Sequence, residues 1–244
     1  MVSVGVFGLN LHAYMDQYDY HKEYLIENPE KYCEYDIQTK QLQYLIMSID
    51  GLCDLKGSKN YVLKKAYKQF SKAVGELYEF LHIFKSDLKN IEIDRKENKD
   101  FWLCDLIMVY DDYKVHAEFE STGIKKLIRL FTYLQKMVRG EIVFIDEFDS
   151  NLHDVYLCAI LEYLMEHGKG QLCFTTHNVG PMDVLRRRKK SIDFLSENHK
   201  IYPWTANGNY SPAKLYRNGM IEGSPFNVDS IDFIGVFDSG EEDE

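Results

Sequence analysis

The chain has 244 residues, 45% hydrophobic and 28% charged, a composition that can bury a real core and excludes wholesale disorder. Its 39 acids against 29 Lys and Arg give a net charge of −10, which argues against coating nucleic acid by bulk charge. No apolar run approaches the roughly 18–20 residues of a membrane span, and no CxxC pair occurs among Cys33, Cys53, Cys104, Cys158 and Cys173. A dispersed, odd set of cysteines suits a reducing cytoplasm better than a disulfide framework or a cysteine zinc site.

In chain order, the opening MVSVGVFGLNLHAYMD has no basic start and soon meets Asp16, so it does not read as a signal peptide. Residues 12–85 are rich in tyrosine and long polar side chains, and Tyr14, Tyr18, Tyr20, Tyr24, Tyr32 and Tyr35 read as core and interface packing rather than a base-stacking platform. Leu42, Tyr44, Leu45 and Met47 suggest a short helix. The spacing of Tyr61, Leu63, Ala66, Tyr67, Phe70, Val74, Leu77, Tyr78 and Leu81 predicts an amphipathic helix over about Asn60–Phe84, with Gly75 inside it. Leu103–Tyr110 and Val115–Phe119 read as strands about the turn Asp111-Asp112-Tyr113.

From residue 121 strand and helix alternate. Apolar residues from Ile124 to Val138 at helical spacing predict a helix opened near Gly123 and closed by Gly140. Ile142–Ile145 is a bare apolar run, as in a parallel strand buried on both faces, and it ends in Asp146-Glu147. Val155–Met165 reads as a helix, Leu172–Thr176 as a second buried strand and Ser191–Leu195 as a candidate third. This order predicts an α/β fold, a parallel sheet flanked by helices, with a helical N-terminal portion. The expected organisation is an N-terminal portion over 1–120, a motif-bearing half over 121–237 and an acidic, frayed tail over 238–244.

The chemistry concentrates in IVFIDEFD, residues 142–149. A strand that delivers two acids at its carboxyl end places them at the crevice where α/β sheets bind ligands. Phosphoryl chemistry uses such a pair, one carboxylate for Mg²⁺ and the next for the attacking water. A simple strand end that caps the next helix is the bland alternative. Upstream, Ser121-Thr122-Gly123 at a strand-to-helix junction can hold a phosphate, or can be an ordinary serine cap. Downstream, His177 follows Thr175-Thr176 at the end of the next strand.

Together these segments resemble the ATP-binding-cassette class of ATPases, in the branch of chromosome-maintenance proteins, OLD-family nucleases and the AAA-type proteins of bacterial defence. ESTGIKKL resembles the signature motif, IVFIDEFD Walker B, SNLHD the D-loop and FTTHN the switch-histidine strand; AKLYRNG (213–219) also resembles the defence-type branch. The resemblance spans about residues 115–237 and implies a P-loop-NTPase-like fold and ATP with Mg²⁺ as cofactors. It implies Asp146 as the metal ligand, Glu147 as the carboxylate that polarises water and His177 as a γ-phosphate contact. It also implies Ser121, Gly123, Lys125 and Asn151 as nucleotide-binding positions in a head-to-tail dimer. Thr122 and His153 depart mildly from the family pattern.

A larger departure is that no GxxxxGK[ST] occurs, so the β- and γ-phosphates lack their primary cradle. Gly168-Lys169 stands in the wrong order, and Leu11-His12-Ala13-Tyr14 occupies the place where Gly, Lys and a hydroxyl would follow Val2–Asn10. The chain therefore reads as the C-terminal half of an ATPase, with the P-loop on a partner chain or an upstream segment, or as a non-catalytic relic. Val2–Phe7 is the candidate to pair beside Leu172–Thr176 in place of the missing strand. An effector nuclease or toxin is the implied partner, in phage defence or DNA transactions. Arg186–Lys190 reads as a solvated helix end, with a nucleic-acid patch as the alternative. A metal nuclease using Asp111, Asp112, Glu118 and Glu120 with Asp146, Glu147 and Asp149 is a further, weaker reading.

Overall fold

A computed structural model describes residues 11–15, 55–99, 101–196, 199–204 and 211–221, and the chain divides between His177 and Asn178 into two units. The short helix at Leu42–Met47, the Val2–Phe7 strand and the tail from Asp238 lie outside the described residues.

The first unit holds a parallel sheet of β1 (Leu11–Tyr14), β6 (Ile142–Ile145) and β7 (Gln171–Phe174), with β6 in the centre. Leu11 pairs with Ile142 and Tyr14 with Ile145 on one side; Ile142 pairs with Gln171 and Ile145 with Phe174 on the other. Leu11–Tyr14, the stretch standing where a phosphate loop would be, is thus a strand. Val143 and Ile145 are buried while Phe144, on the opposite face, is 41% exposed. The expectation of burial on both faces therefore fails for β6, whose side chains alternate in the manner of a strand with one covered face.

A second, antiparallel sheet is built on β4 (Phe101–Val109), which pairs with β3 (Asn90–Asn98) on one side and with β2 (Lys59–Leu63) and β5 (Lys114–His116) on the other. The expected helix over Asn60–Phe84 is corrected at its start. Tyr61 and Leu63 fit helical spacing but also alternate, and pairing with Leu103 and Phe101 decides for a strand. The helix proper, α1, is Tyr67–Phe84 and buries Phe70, Val74, Leu77 and Leu81. Val115–Phe119 is likewise only partly a strand; Ala117–Phe119 forms a 3₁₀ turn.

The helix α2 (Thr122–Arg139) lies against β1 and β6 and also meets α1 and α3 (Asp154–His167). Ser121 caps its start, accepting from the Ile124 N–H at 3.3 Å, and Gly140 ends it in the left-handed conformation at φ +111°. Aromatic contacts join the helices: Phe80 with Phe131 at 5.3 Å and Phe84 with Tyr156 at 5.0 Å between ring centroids. The chain is thus a mixed α/β protein whose parallel sheet is flanked by helices, as in P-loop-NTPase-like AAA folds.

In the second unit β8 (Asp193–Leu195) pairs antiparallel with β9 (Ile201–Pro203). The candidate third strand is therefore shorter than expected and belongs to a separate hairpin. Ile192, Phe194 and Trp204 form its core, with Met182 and Leu185 of the segment around α4 (Gly180–Val184) and Tyr216 of α5 (Pro212–Arg217) packed on it. Among the described residues no helix is long and apolar enough to cross a membrane.

Cys104, on the covered face of β4, is fully buried, and burial pushes its thiol up to about 11, with the nearby Arg95 charge opposing. Thiolate forms near pH 9 in the unfolded chain but only near 11 in the folded one. Stability from this group is therefore complete below pH 9 and falls as pH rises through that window. Cys104 should accordingly be the last of Cys104, Cys158 and Cys173 to take up iodoacetamide at pH 8, read by peptide mass spectrometry.

Candidate functional site

The carboxyl ends of β6 and β7 are laced together through one threonine. The Thr175 hydroxyl donates to Asp146 Oδ1 at 2.6 Å and accepts the Glu147 N–H at 2.8 Å. The Thr175 N–H donates to the Ile145 carbonyl and its own carbonyl accepts the Phe148 N–H, both at 3.0 Å. Asp146 and Glu147 are both exposed. Glu147 has φ +48°, a left-handed setting that costs a non-glycine residue about 1–2 kcal/mol and that clusters at functional sites.

The same turn is anchored from α2. Lys126 is 3% exposed, and its ammonium donates to the Glu147 carbonyl at 2.5 Å and to the Ser150 hydroxyl. The Glu147 carbonyl also accepts the Ser150 N–H at 3.0 Å. Both backbone polar groups of Glu147 are thereby fixed. Beyond β7, the His177 N–H donates to Asp149 Oδ1 at 3.3 Å, which sets the exposed histidine beside the acid turn.

The other predicted positions fall as follows. Ser121 is exposed and its hydroxyl oxygen serves as the α2 cap, so the ordinary capping role is realised. A Cβ on Gly123 would lie 2.7 Å from the Asn151 carbonyl oxygen, so this position needs glycine for contact with the turn at Asn151, whatever else it does. Asn151 is exposed at φ +59°, a conformation that asparagine tolerates. Lys125 donates backwards to the Glu118 carbonyl at 3.3 Å. Ser121, Gly123 and Asn151 thus gather at one end of α2, while Asp146, Glu147 and His177 gather at the ends of β6 and β7.

Residues 69–183 match the model of a family described as "AAA domain, putative AbiEii toxin, Type IV TA system". The match supports an AAA-type, ATPase-like domain. It starts inside α1, takes in β3 to β7 and ends in α4, so every residue of the acid turn and its threonine bridge lies within it. No curated protein matches the chain.

Asp146 is the residue of the acid turn that could hold a hard cation. Thr175 engages only one oxygen of the exposed Asp146 carboxylate, so the other is available to Mg²⁺ or to its water shell, the usual way this ion is held beside phosphates. The acids of the nuclease reading do not converge. Asp111 pairs with Lys89 at 3.3 Å, Glu118 with Lys59 at 3.3 Å, and Glu120 accepts from the Tyr110 hydroxyl. Among the described residues no three His, Cys, Asp or Glu side chains form a metal-ligand group. Burial and the Glu120 hydrogen bond hold Tyr110 far above its usual pKa, which keeps it the donor in that pair.

Arg186 and Lys190 are exposed on the 3₁₀ turns Leu185–Arg187 and Lys189–Ser191, and the exposed Arg188 joins the two, in the manner of a solvated basic segment. Sequence reasoning missed Thr175 and Lys126 as site residues. Lys126 carried a signal: it stands four residues before Leu130 in the apolar stripe of α2, where a lysine must find partners.

Proposed function

We propose that the chain supplies the acid-bearing half of an AAA-type ATPase that hydrolyses ATP, in the ATP-binding-cassette branch that its four ordered motifs resemble. The observation that carries this reading is the Thr175-bridged pair Asp146 and Glu147, exposed at the end of the central parallel strand, with Glu147 held at φ +48°. In this reading Asp146 holds Mg²⁺, which when bound neutralises charge on the phosphates. Glu147 orients the attacking water and accepts its proton, and His177 contacts the γ-phosphate. Ser121 and Gly123, with Lys125 and Asn151 beside them, close over a nucleotide held on a second subunit in a head-to-tail arrangement.

The phosphate cradle comes from a P-loop on a partner chain or an upstream segment. The family description, with its putative toxin of a type IV TA system, supports a toxin as the effector that the assembly serves. A second reading, a non-catalytic regulatory module, is favoured by the missing GxxxxGK[ST].

The isolated chain should give no MgATP-dependent thermal shift. Occupancy at ten times Kd would add roughly 1.4 kcal/mol, a visible displacement of the melting curve. The assembly captured from native cells through a tag on this chain should shift with MgATP. A shift by the chain alone would place the cradle within these 244 residues; no shift in either sample favours the regulatory module.

A further inference from the structure

We propose that Lys126 is a positioning residue for Glu147, tying the helix that opens at Ser121 to the acid turn of the same chain. This inference rests on the reading of Glu147 as the water-orienting carboxylate. An ammonium has three donors and is seldom buried unless they are engaged. Here they meet the Glu147 carbonyl at 2.5 Å and the Ser150 hydroxyl, with the Tyr14 ring centroid 5.8 Å away. The charge therefore sits where the turn closes on itself through the Ser150 N–H.

A left-handed residue persists only where its surroundings over-determine it. At Glu147, Thr175 of the neighbouring strand fixes the N–H and Lys126 fixes the carbonyl, so the carboxylate is set by two elements at once. Three residues earlier on the same face of α2, Gly123 seats the helix start against the Asn151 carbonyl. Two contacts thus join one helix turn to residues 147–151. Any displacement of the Ser121 end by a bound phosphate is carried to Glu147 through this pair.

Lys126→Met keeps the aliphatic stem and removes the charge. In the full chain, amide hydrogen exchange at Ser150 and Leu152 should quicken about tenfold or more, while β3 and β4 keep their protection. Unchanged exchange over 147–152 in a folded Lys126→Met chain overturns the proposal, whether or not ATP is hydrolysed. Should that variant fail to fold, Ser150→Ala removes one acceptor alone; the same amides should quicken, and unchanged protection again overturns it.

In the assembly purified from native cells, Lys126→Met should lower kcat about 10–10²-fold, the cost of a misplaced reacting group, with KM for ATP unchanged. A raised KM with kcat intact would make Lys126 a binding residue and overturn the positioning role. A loosened turn in an assembly whose wild type does not hydrolyse ATP would leave the positioning of Glu147 standing and reject the ATPase reading.

Discussion

Glu147→Gln is expected to leave MgATP binding by the assembly intact and to slow turnover by about 10²–10⁴-fold, the range for a positioned acid or base. The amide keeps the size of the carboxylate but no longer takes a proton from water. The fold should tolerate the change, because Glu147 is held through its backbone by Thr175, Lys126 and Ser150. Single-turnover phosphate release measures the chemical step apart from product loss. Release at the wild-type rate would reject Glu147 as the carboxylate that activates water.

Phe148→Ala should destabilise the chain by about 3–5 kcal/mol, the usual cost of emptying a buried phenylalanine site. The ring is fully buried and meets Phe174 edge to face at 5.5 Å, while the Phe148 N–H holds the Thr175 carbonyl. Against a domain stability of about 5–15 kcal/mol, that loss should bring the urea midpoint down by a large fraction. Since Phe148 adjoins Glu147, the lost ring also removes the floor under the acid turn. A change below about 1 kcal/mol, the size of an average substitution, would show that this side chain does not anchor the strand ends.

Much of the motif-bearing half was legible because its local signals agree. A serine cap, a helical stripe and a terminal glycine mark α2, and four apolar residues followed by two acids mark β6 and its turn. The N-terminal half misled where one set of residues satisfied two periods. Tyr61 and Leu63 continue the stripe of α1, and only pairing across to β4 makes Lys59–Leu63 a strand. Asn90–Asn98 was missed because only Ile91 and Ile93 alternate in a charged stretch; its partner β4 supplies the ladder.

The site divides in the same way. Asp146, Glu147 and His177 stand out because strand ends in α/β sheets carry ligand chemistry. The Thr175 bridge, the left-handed Glu147 and the seating of Gly123 on Asn151 depend on residues brought together by the sheet and by helix packing, which spacing along the chain does not encode.

The identity of trapped nucleotide tests most directly whether this chain's acid turn performs the hydrolysis of ATP, as proposed. The Glu147→Gln assembly, incubated with MgATP, desalted and denatured, should release ATP where the wild-type assembly releases ADP. ADP from both, in equal amounts, would contradict the account.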